Sequence, residues 1–274
     1  MDRLPIETLV PLLVALSASV VATKTFADEG REIMDRVQKL DRSERRWRDR
    51  TRRMEIVIHD RRGGTRTRDM EMRTLRDASH DEKILAVFQT PPEIRGTALL
   101  QFQYRDRDAD QWLYLPELRR VRKITSSVKD ESFMGTDFSF RDMELLTDTL
   151  EWTAEEANAQ LLGEAEVEGR AAHRIQLTPT QRDIGYERIV VVLTADDLVL
   201  RSMEFYGAEA EPRKTLDLRR IEQIGAIPTP HEMVMRQPAD GTHTVVEISN
   251  VRYDQGLDED LFTKRSLERG LDLP

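Results

Sequence analysis

The stretch MEIVIHDRRGGTRTRDMEMRT, residues 54–74, decides the fold class. Apolar side chains occupy every second position on both sides of the glycine pair Gly63-Gly64. Alternation with a period of two on either side of a glycine turn is typical of a β-hairpin with one buried face. The stretch therefore predicts two antiparallel strands whose buried face carries Met54, Ile56, Ile58, Met70 and Met72.

The same rhythm continues through most of the chain. Strand-like runs alternate with short segments that contain Gly, Pro, Asn or Asp, and no helical stretch between them is long enough for a parallel crossover. We therefore predict a mainly β protein built as an antiparallel meander. The further predicted strands are Lys83–Gln89, Thr97–Tyr104, Gln111–Leu115, Leu161–Glu168, Ala172–Thr178, Glu187–Thr194, Val199–Phe205, Lys214–Gln223, His231–Gln237 and Thr242–Val251.

Helices are predicted at a few places only. Gly30–Leu40 has apolar residues at helical spacing with charges between them, which indicates one amphipathic helix. Ser139–Thr147 and Ala154–Leu161 are two further helical candidates within the strand series, and Asp258–Arg269 is predicted as a short terminal helix or turn. The charged stretch 41–53 is predicted to be a linker or the solvated start of a strand.

The N-terminus has the pattern of a secretory signal. Leu9–Ala22 is an uncharged apolar run, and small residues follow it up to Ala27. Because a run of this length is short for a membrane span, a cleavable signal over residues 1–27 is preferred to an uncleaved anchor. Cleavage is expected after Ala22 or Ala27. Residues 28–274 would then form one exported domain in the periplasm.

Composition narrows the function classes. The chain has no cysteine, which excludes a lipid anchor on an N-terminal cysteine as well as any disulfide framework. Its net charge of −9 argues against nucleic acid as a partner. The sequence contains no G-x-S-x-G, P-loop, G-x-G-x-x-G or H-E-x-x-H motif, and Asp196-Asp197 is interpreted as a solvated turn. We therefore expect no cofactor, no metal and no catalytic residue, and a binding protein rather than an enzyme.

Methionine and aromatic residues recur at alternating strand positions. Ordinary core packing explains each of them singly, but methionine is flexible and suits a cavity that adapts to apolar ligands. A sheet curved around such residues would hold an acyl chain, at about 0.8 kcal/mol for each buried CH₂ group. The predicted lipid-cavity residues are Met54, Ile56, Ile58, Met70, Met72, Phe88, Leu100, Phe102, Trp112, Tyr114, Met203 and Phe205.

A basic cluster follows directly on an aromatic strand. It consists of Arg119, Arg120, Arg122 and Lys123. One interpretation is a solvated strand edge, where charges discourage aggregation. The other is a docking patch for an acidic partner or an anionic head group. The sequence leaves both open.

Several longer motifs occur in a recognisable order. They are Thr90-Pro91-Pro92, Arg95–Leu100, WLYLPELRRVRKI at 112–124, FMGTDFSF at 133–140 and FTKRSLER at 262–269. Together they resemble the outer-membrane lipoprotein-sorting protein family, the LolA-like periplasmic carriers. The resemblance covers nearly the whole chain after the signal. It fits a longer branch of the family than the lipoprotein chaperone itself.

The resemblance implies a fold of LolA/LolB type, an unclosed antiparallel β-barrel of about eleven strands, with an N-terminal helix and lid helices over an apolar cavity. It also implies a monomeric carrier of lipid or lipoprotein acyl chains, in some relatives associated with RND-type (MMPL-like) exporters, and no catalytic residues. In this chain the lid or rim residues would be Phe133, Met134, Gly135, Phe138 and Phe140, with Gly135 supplying a positive φ. A tightly packed connection that closes the barrel end is the alternative for this segment.

Three functions follow from these observations. A periplasmic carrier predicts a continuous apolar cavity and co-purifying lipid. A sensor or regulatory module on the same fold predicts a permanent protein partner. An envelope hydrolase predicts Asp, His or Ser clustered at the cavity mouth, and the sequence carries no motif for it.

Overall fold

The computed structural model describes residues 25–77, 81–104, 107–181 and 183–269. These residues form one antiparallel sheet of thirteen strands, together with three α-helices. The helices are α1 (Phe26–Ser43), α2 (Phe140–Asp148) and α3 (Lys264–Glu268). The strands are β1 (Asp49–His59), β2 (Thr65–Arg76), β3 (Glu82–Thr90), β4 (Ala98–Gln103), β5 (Asp110–Leu115), β6 (Arg120–Lys123), β7 (Ala157–Val167), β8 (Arg170–Pro179), β9 (Arg188–Thr194), β10 (Leu200–Tyr206), β11 (Lys214–Ile224), β12 (Ile227–Gln237) and β13 (Thr242–Tyr253).

The sheet is a meander in two halves. The first half runs outward from β1 to β6, and the second runs from β7 back to β13, which pairs with β1 in the middle. Within the described residues β6 and β7 are the two outer strands and do not pair with each other, so the barrel is unclosed. This confirms the predicted fold class. The strand count is thirteen rather than about eleven, and β6, in the basic cluster, adds one strand to the twelve predicted runs.

The β1–β2 hairpin has the predicted alternation. Met54 lies opposite Met70, and Arg52 lies opposite Met72. Gly63 adopts φ +83° in the turn, and the Asp60 carboxylate accepts hydrogen bonds from the backbone N–H groups of Arg62 and Gly64. A turn of this kind fixes the strand register, which places one apolar row on one face of the sheet.

Both faces of the sheet are partly covered. The concave face carries a large apolar core to which α1, α2 and almost every strand contribute. The convex face of β3–β5 carries a second, smaller cluster that includes Leu100 and Trp112. Phe262 and Leu267 of the C-terminal segment cover this cluster. Buried Asp49 anchors the segment by accepting hydrogen bonds from the backbone N–H groups of residues 255–257.

Helix α1 lies directly on β7. Thr25 and Asp28 form a capping box at its N-terminus, and Ile33, Met34 and Val37 face the core. At Gly30 the helix approaches the strand so closely that a Cβ atom would stand 2.6 Å from the backbone nitrogen of Leu161. Glycine is required at this position because any larger residue would push the helix off the sheet.

The helix predicted over Ala154–Leu161 is wrong. Most of it lies in β7, where Ala157 and Ala159 point into the core and Asn158 and Gln160 point outward. Alanine has a high helix propensity, but pairing with β8 and packing under α1 override it. The other predicted helices are confirmed by α1, α2 and α3, and the stretch 41–53 contains the end of α1 and the start of β1.

Residues 1–24, which contain most of the predicted signal, lie outside the described residues. None of the described helices is both long and apolar enough to cross a membrane.

Candidate functional site

A small apolar hollow lies between the concave face of the sheet and the segment that covers it. Its volume is about 40 Å³. Five of the twelve residues that line it are methionines, and the arginine among them is the only charged one. The lining residues are Arg52, Met54, Ile56, Met70, Met72, Phe133, Thr136, Phe138, Met143, Leu146, Met233 and Val246.

The cover segment, residues 124–148, closes this hollow and ends in α2. Phe133 and Phe138 point inward and are buried. The Phe133 ring packs between Phe88 of the sheet and Phe140 of the cover segment, with ring centroids 5.6 and 5.5 Å away. Within the segment the chain turns at Met134 and Gly135, which have φ +53° and +76°. The predicted positive φ at Gly135 is confirmed.

Asp137 ties the cover segment to β12 and β13. Its Oδ2 accepts a hydrogen bond from the Thr244 hydroxyl at 2.5 Å, and its Oδ1 accepts one from Gln237 Nε2 at 3.0 Å. Thr242 also donates its hydroxyl to Oδ1. These bonds connect side chains rather than paired strands. Breaking these side-chain hydrogen bonds would therefore leave the backbone pairing of β12 with β13 intact.

Asp142 forms a second tie to the same half of the sheet, at β11 and at the residues before β9. Its buried carboxylate accepts a hydrogen bond from Lys214 Nζ at 2.6 Å and from the Tyr186 hydroxyl at 2.8 Å. Burial, followed by the nearby Asp142 charge, raises the pKa of Tyr186, so this phenol stays protonated and continues to donate. Charge-assisted bonds inside a protein are strong, and the tie holds α2 against the sheet.

Glu144 fixes α2 from the opposite side. Its Oε2 lies 2.7 Å from Lys129 Nζ in a buried ion pair, and its Oε1 accepts from the backbone N–H of Ala109 at 2.8 Å. Gln111 of β5 also donates to the carbonyl of Phe140 at 2.9 Å. The cover segment thus spans the hollow from β5 to β11–β13 and is held by polar side chains at each side.

The predicted lipid-cavity residues divide into three groups. Met54, Ile56, Met70 and Met72 line the hollow. Ile58, Phe88, Met203 and Phe205 belong to the same concave core but not to the lining of the hollow.

Leu100, Phe102, Trp112 and Tyr114 lie on the other face, in the convex cluster under the C-terminal segment. This placement corrects the expectation that all twelve residues share one surface. β4 has apolar residues on both faces, so its sequence does not show which residues face the concave side. The faces are assigned by pairing, which puts Leu99 on the concave side and Leu100 on the convex side.

The predicted lid residues are packed rather than loose. Phe133, Phe138 and Phe140 are all buried in the concave core, Met134 is partly buried and Gly135 is exposed. Phe133 and Phe138 line the hollow and the other three do not.

The basic cluster forms the edge strand β6 and the residue before it. Arg119, Arg120 and Arg122 are exposed and pair with no carboxylate of the described chain, whereas Lys123 forms an ion pair with Asp110 at 2.6 Å. The position fits both interpretations, since an edge strand needs charges to avoid aggregation and also offers an accessible basic surface.

Sequence reasoning missed several residues of the site. Met143, Leu146 and Met233 complete the apolar lining, and Asp137 and Asp142 hold the cover. Arg52 was missed although it continues the alternation of Met54 and Ile56 by one step, which was the available signal. Among the described residues, no three His, Cys, Asp or Glu side chains come together as a metal site would require.

The comparisons with known proteins agree with this geometry. A family model whose description reads "Uncharacterized protein" matches residues 80–269, which is more than half of the chain. A structure of a DUF1329 family protein from Desulfovibrio piger has a TM-score of 0.81 at 29% identity, covering 89% of this chain and 100% of that one. A candidate outer-membrane lipoprotein-sorting protein domain from Vibrio parahaemolyticus has a TM-score of 0.80, also at 29% identity and with the same coverage. This chain belongs to the LolA-like family.

A more distant structure shows the same fold. A LolA superfamily protein from Nitrosomonas europaea has a TM-score of 0.63 at 15% identity, covering 86% of this chain and 98% of that one. No curated protein matches the chain in sequence. The resemblance inferred from the sequence motifs is therefore confirmed, and this LolA-like chain has the unclosed antiparallel sheet of its relatives.

Proposed function

We propose that this LolA-like protein is a periplasmic carrier that binds lipid, or the acyl chains of lipoproteins, between its concave sheet and its cover segment. The observation that carries the proposal is the methionine-rich hollow under a cover held by side-chain contacts. Methionine has three rotatable bonds and a polarizable thioether, so this lining can reshape around chains of different length. Structural similarity to the lipoprotein-sorting domain from Vibrio parahaemolyticus supports the same function.

The hollow must grow before it can take cargo. Its volume of about 40 Å³ is far below the roughly 300 to 1,000 Å³ of pockets that enclose small ligands. Phe133, Phe138 and Met143 fill the space as it stands, and all three belong to the cover segment. Loading therefore requires the cover to move outward, which breaks the contacts of its Asp137 and Asp142 with the sheet.

The direct test is native mass spectrometry, with lipid extraction, of the protein purified from the periplasm. We expect bound species with the masses of lipids. A matched pair of variants then locates the site with a fluorescent acyl probe. Met143→Trp narrows the hollow and should weaken probe binding about tenfold, which corresponds to the loss of a few buried methylene groups.

Met134→Trp is the control for this variant, since Met134 is also a partly buried methionine of the cover segment but does not line the hollow. It should leave the affinity unchanged. A protein that carries no lipid and does not bind the probe would overturn the carrier proposal.

A sensor or regulatory module on the same fold is the second candidate. The small volume of the hollow favours it, since a module that binds only protein has no need of an open cavity. It predicts a partner that stays bound through purification and a hollow that never takes lipid. Native mass spectrometry separates the two functions, because the additional mass is that of a protein in one case and of a lipid in the other.

A further inference from the structure

One charged side chain lines the apolar hollow. Arg52 precedes Met54 on the concave face of β1, and Arg50 precedes Arg52 on the same face. In both residues the side-chain Nε is fully enclosed and has no hydrogen-bond acceptor among the described residues. The hydroxyl of Thr74, which lies opposite Arg50 on β2, is enclosed and unpaired as well.

The two arginines also have no counter-ion. Among the described residues no carboxylate lies within 4.0 Å of either guanidinium, whereas neighbouring arginines are paired: Arg53 with Asp69 at 3.2 Å and Arg76 with Glu82 at 2.6 Å. The close polar contact of Arg52 is the thioether of Met72, with Nη2 2.8 Å from Sδ. A thioether is a weak acceptor and does not balance a cation.

An unpaired, half-buried cation beside an apolar hollow is unfavourable for the free protein. Burial, and then the adjacent Arg50 charge, lowers the pKa of Arg52 to about 9, so the guanidinium stays charged at neutral pH. Planar guanidinium groups form strong bidentate bonds with carboxylates and phosphates. The hollow therefore combines an adaptable apolar wall with a cation that lacks its anion.

We propose that Arg52, assisted by Arg50, binds the anionic head group of an amphiphile whose hydrocarbon chain lies in the methionine-lined hollow. The proposal rests on the carrier function and adds the charge of the cargo. A carboxylate and a phosphate ester present the same paired oxygens, so a fatty acid and a phospholipid are the two sources of this anion.

The test measures displacement of a neutral fluorescent acyl probe by three amphiphiles of equal chain length, which are hexadecanoate, hexadecyl phosphate and hexadecanol. For the native protein we expect the two anions to bind roughly ten- to a hundredfold more tightly than the alcohol. Arg52→Met, which replaces the cation by an apolar side chain of similar length, should remove this preference, so that the two anions bind no more tightly than hexadecanol. Arg52→Lys should keep part of the preference.

Arg53→Met is the matched control, because Arg53 is the next residue on β1 but is exposed and paired with Asp69 on the other face. It should bind all three amphiphiles like the native protein. Equal binding of alcohol and anions by the native protein, or an anion preference that survives in Arg52→Met, overturns the head-group proposal and leaves the carrier function intact. Failure of the native protein to bind the probe and all three amphiphiles overturns both. Comparison of hexadecanoate with hexadecyl phosphate identifies which anion the site favours.

Discussion

His243 and His59 stack across the β1–β13 pair, with ring centroids 4.2 Å apart and planes at 5°. His59 lines a cleft that also contains Gly135, Asp137 and Thr242, and His243 follows Thr242 on β13. Burial, followed by the neighbouring His59 and Arg236, lowers the pKa of His243 below its ordinary value of 6.5. The folded state is therefore more stable when His243 is neutral. Its neighbours in sequence, Thr242 and Thr244, donate the hydrogen bonds that hold Asp137 of the cover segment.

This shift predicts a loss of stability in mild acid. Below pH 6.5 the unfolded chain takes up the His243 proton before the folded chain does, so the free energy of unfolding decreases until the folded-state pKa is passed. We expect His243→Gln to reduce the fall in melting temperature between pH 7.5 and pH 5.5. Thermal unfolding followed by circular dichroism at both pH values measures this, and an identical fall in the two proteins would contradict it.

Single residues show where the sequence was informative. Gly135 was predicted to need a positive φ and has one, because a turn between two inward-facing phenylalanines requires it. Arg52 was not predicted, because a charged residue in an apolar row looks like the end of a buried face. Thr25 adds a constraint on export: cleavage after Ala27 would remove this helix cap, and cleavage after Ala22 would keep it. We therefore favour cleavage after Ala22, since a threonine cap contributes about 1 kcal/mol to a helix.

At the scale of elements, the cover segment is attached to the molecule differently from the strands. It meets the sheet through side chains, whereas the strands meet each other through backbone ladders. Besides its buried phenylalanines, the segment is held by a few polar contacts, among them the enclosed Asp142–Lys214 and Glu144–Lys129 ion pairs. Segments of this kind open at lower free energy than the sheet that carries them.

Asp142→Asn should loosen the cover without unfolding the sheet. The change leaves Lys214 enclosed without its counter-ion, which costs roughly 3 to 5 kcal/mol when a buried pair is broken. Hydrogen exchange measured by mass spectrometry should show faster exchange in residues 126–148 and unchanged exchange in β8 and β9.

Asp130→Asn is the control for the cover, since Asp130 belongs to the same segment but its ion pair with Arg141 is exposed to solvent. Its exchange pattern should match that of the native protein. If both variants exchanged at the native rate, the Asp142 pair would not be what holds the cover closed.

Strands and helices were predictable from the sequence where the apolar residues follow a single spacing, either every second residue or the helical repeat. The β1–β2 hairpin and α1 follow directly from alternation and from helical spacing. β7 was partly taken for a helix, because alanine and glutamine favour helices when no partner is considered. β6 was considered only as a charged edge. Its four residues carry little apolar pattern, and pairing with β5 makes them a strand.

On the scale of the whole molecule, the sequence could not assign the faces of the sheet. Strands β3 and β4 are apolar on both sides, and the strand pairing together with the C-terminal segment shows that Leu85, Leu100 and Trp112 belong to a separate cluster. That segment is tied to Asp49 by backbone contacts about two hundred residues apart in sequence. Long-range packing of this kind leaves no local signature.

The outer edge of the sheet offers an accessible basic surface. Arg119, Arg120 and Arg122 lie there, exposed, and we propose that they dock on an acidic surface of an RND-type exporter. Replacing all three by Glu should abolish docking and leave folding unchanged. In-cell photocrosslinking from exposed Leu118 should then lose its crosslink to the inner-membrane transporter.

Arg61, Arg62 and Arg66 provide the control for this docking surface. They are three exposed arginines at the β1–β2 turn, and the same replacement by Glu changes the net charge equally. This triple variant should keep the crosslink. Unchanged crosslinking in the Arg119, Arg120 and Arg122 variant would remove the β6 edge from the interaction.

The pairing of β1 with β13 also has a consequence for the order in which the protein is made. Arg50, near the start of the sheet, lies opposite Tyr253, near its end, so the central ladder joins the first strand synthesised to the last. Until β13 emerges, β1 has an open edge in the middle of the sheet, and such edges recruit other chains. This edge of β1 therefore stays unpaired until almost the whole chain has been synthesised. A chaperone that shields β1 during that interval would raise the yield of folded protein.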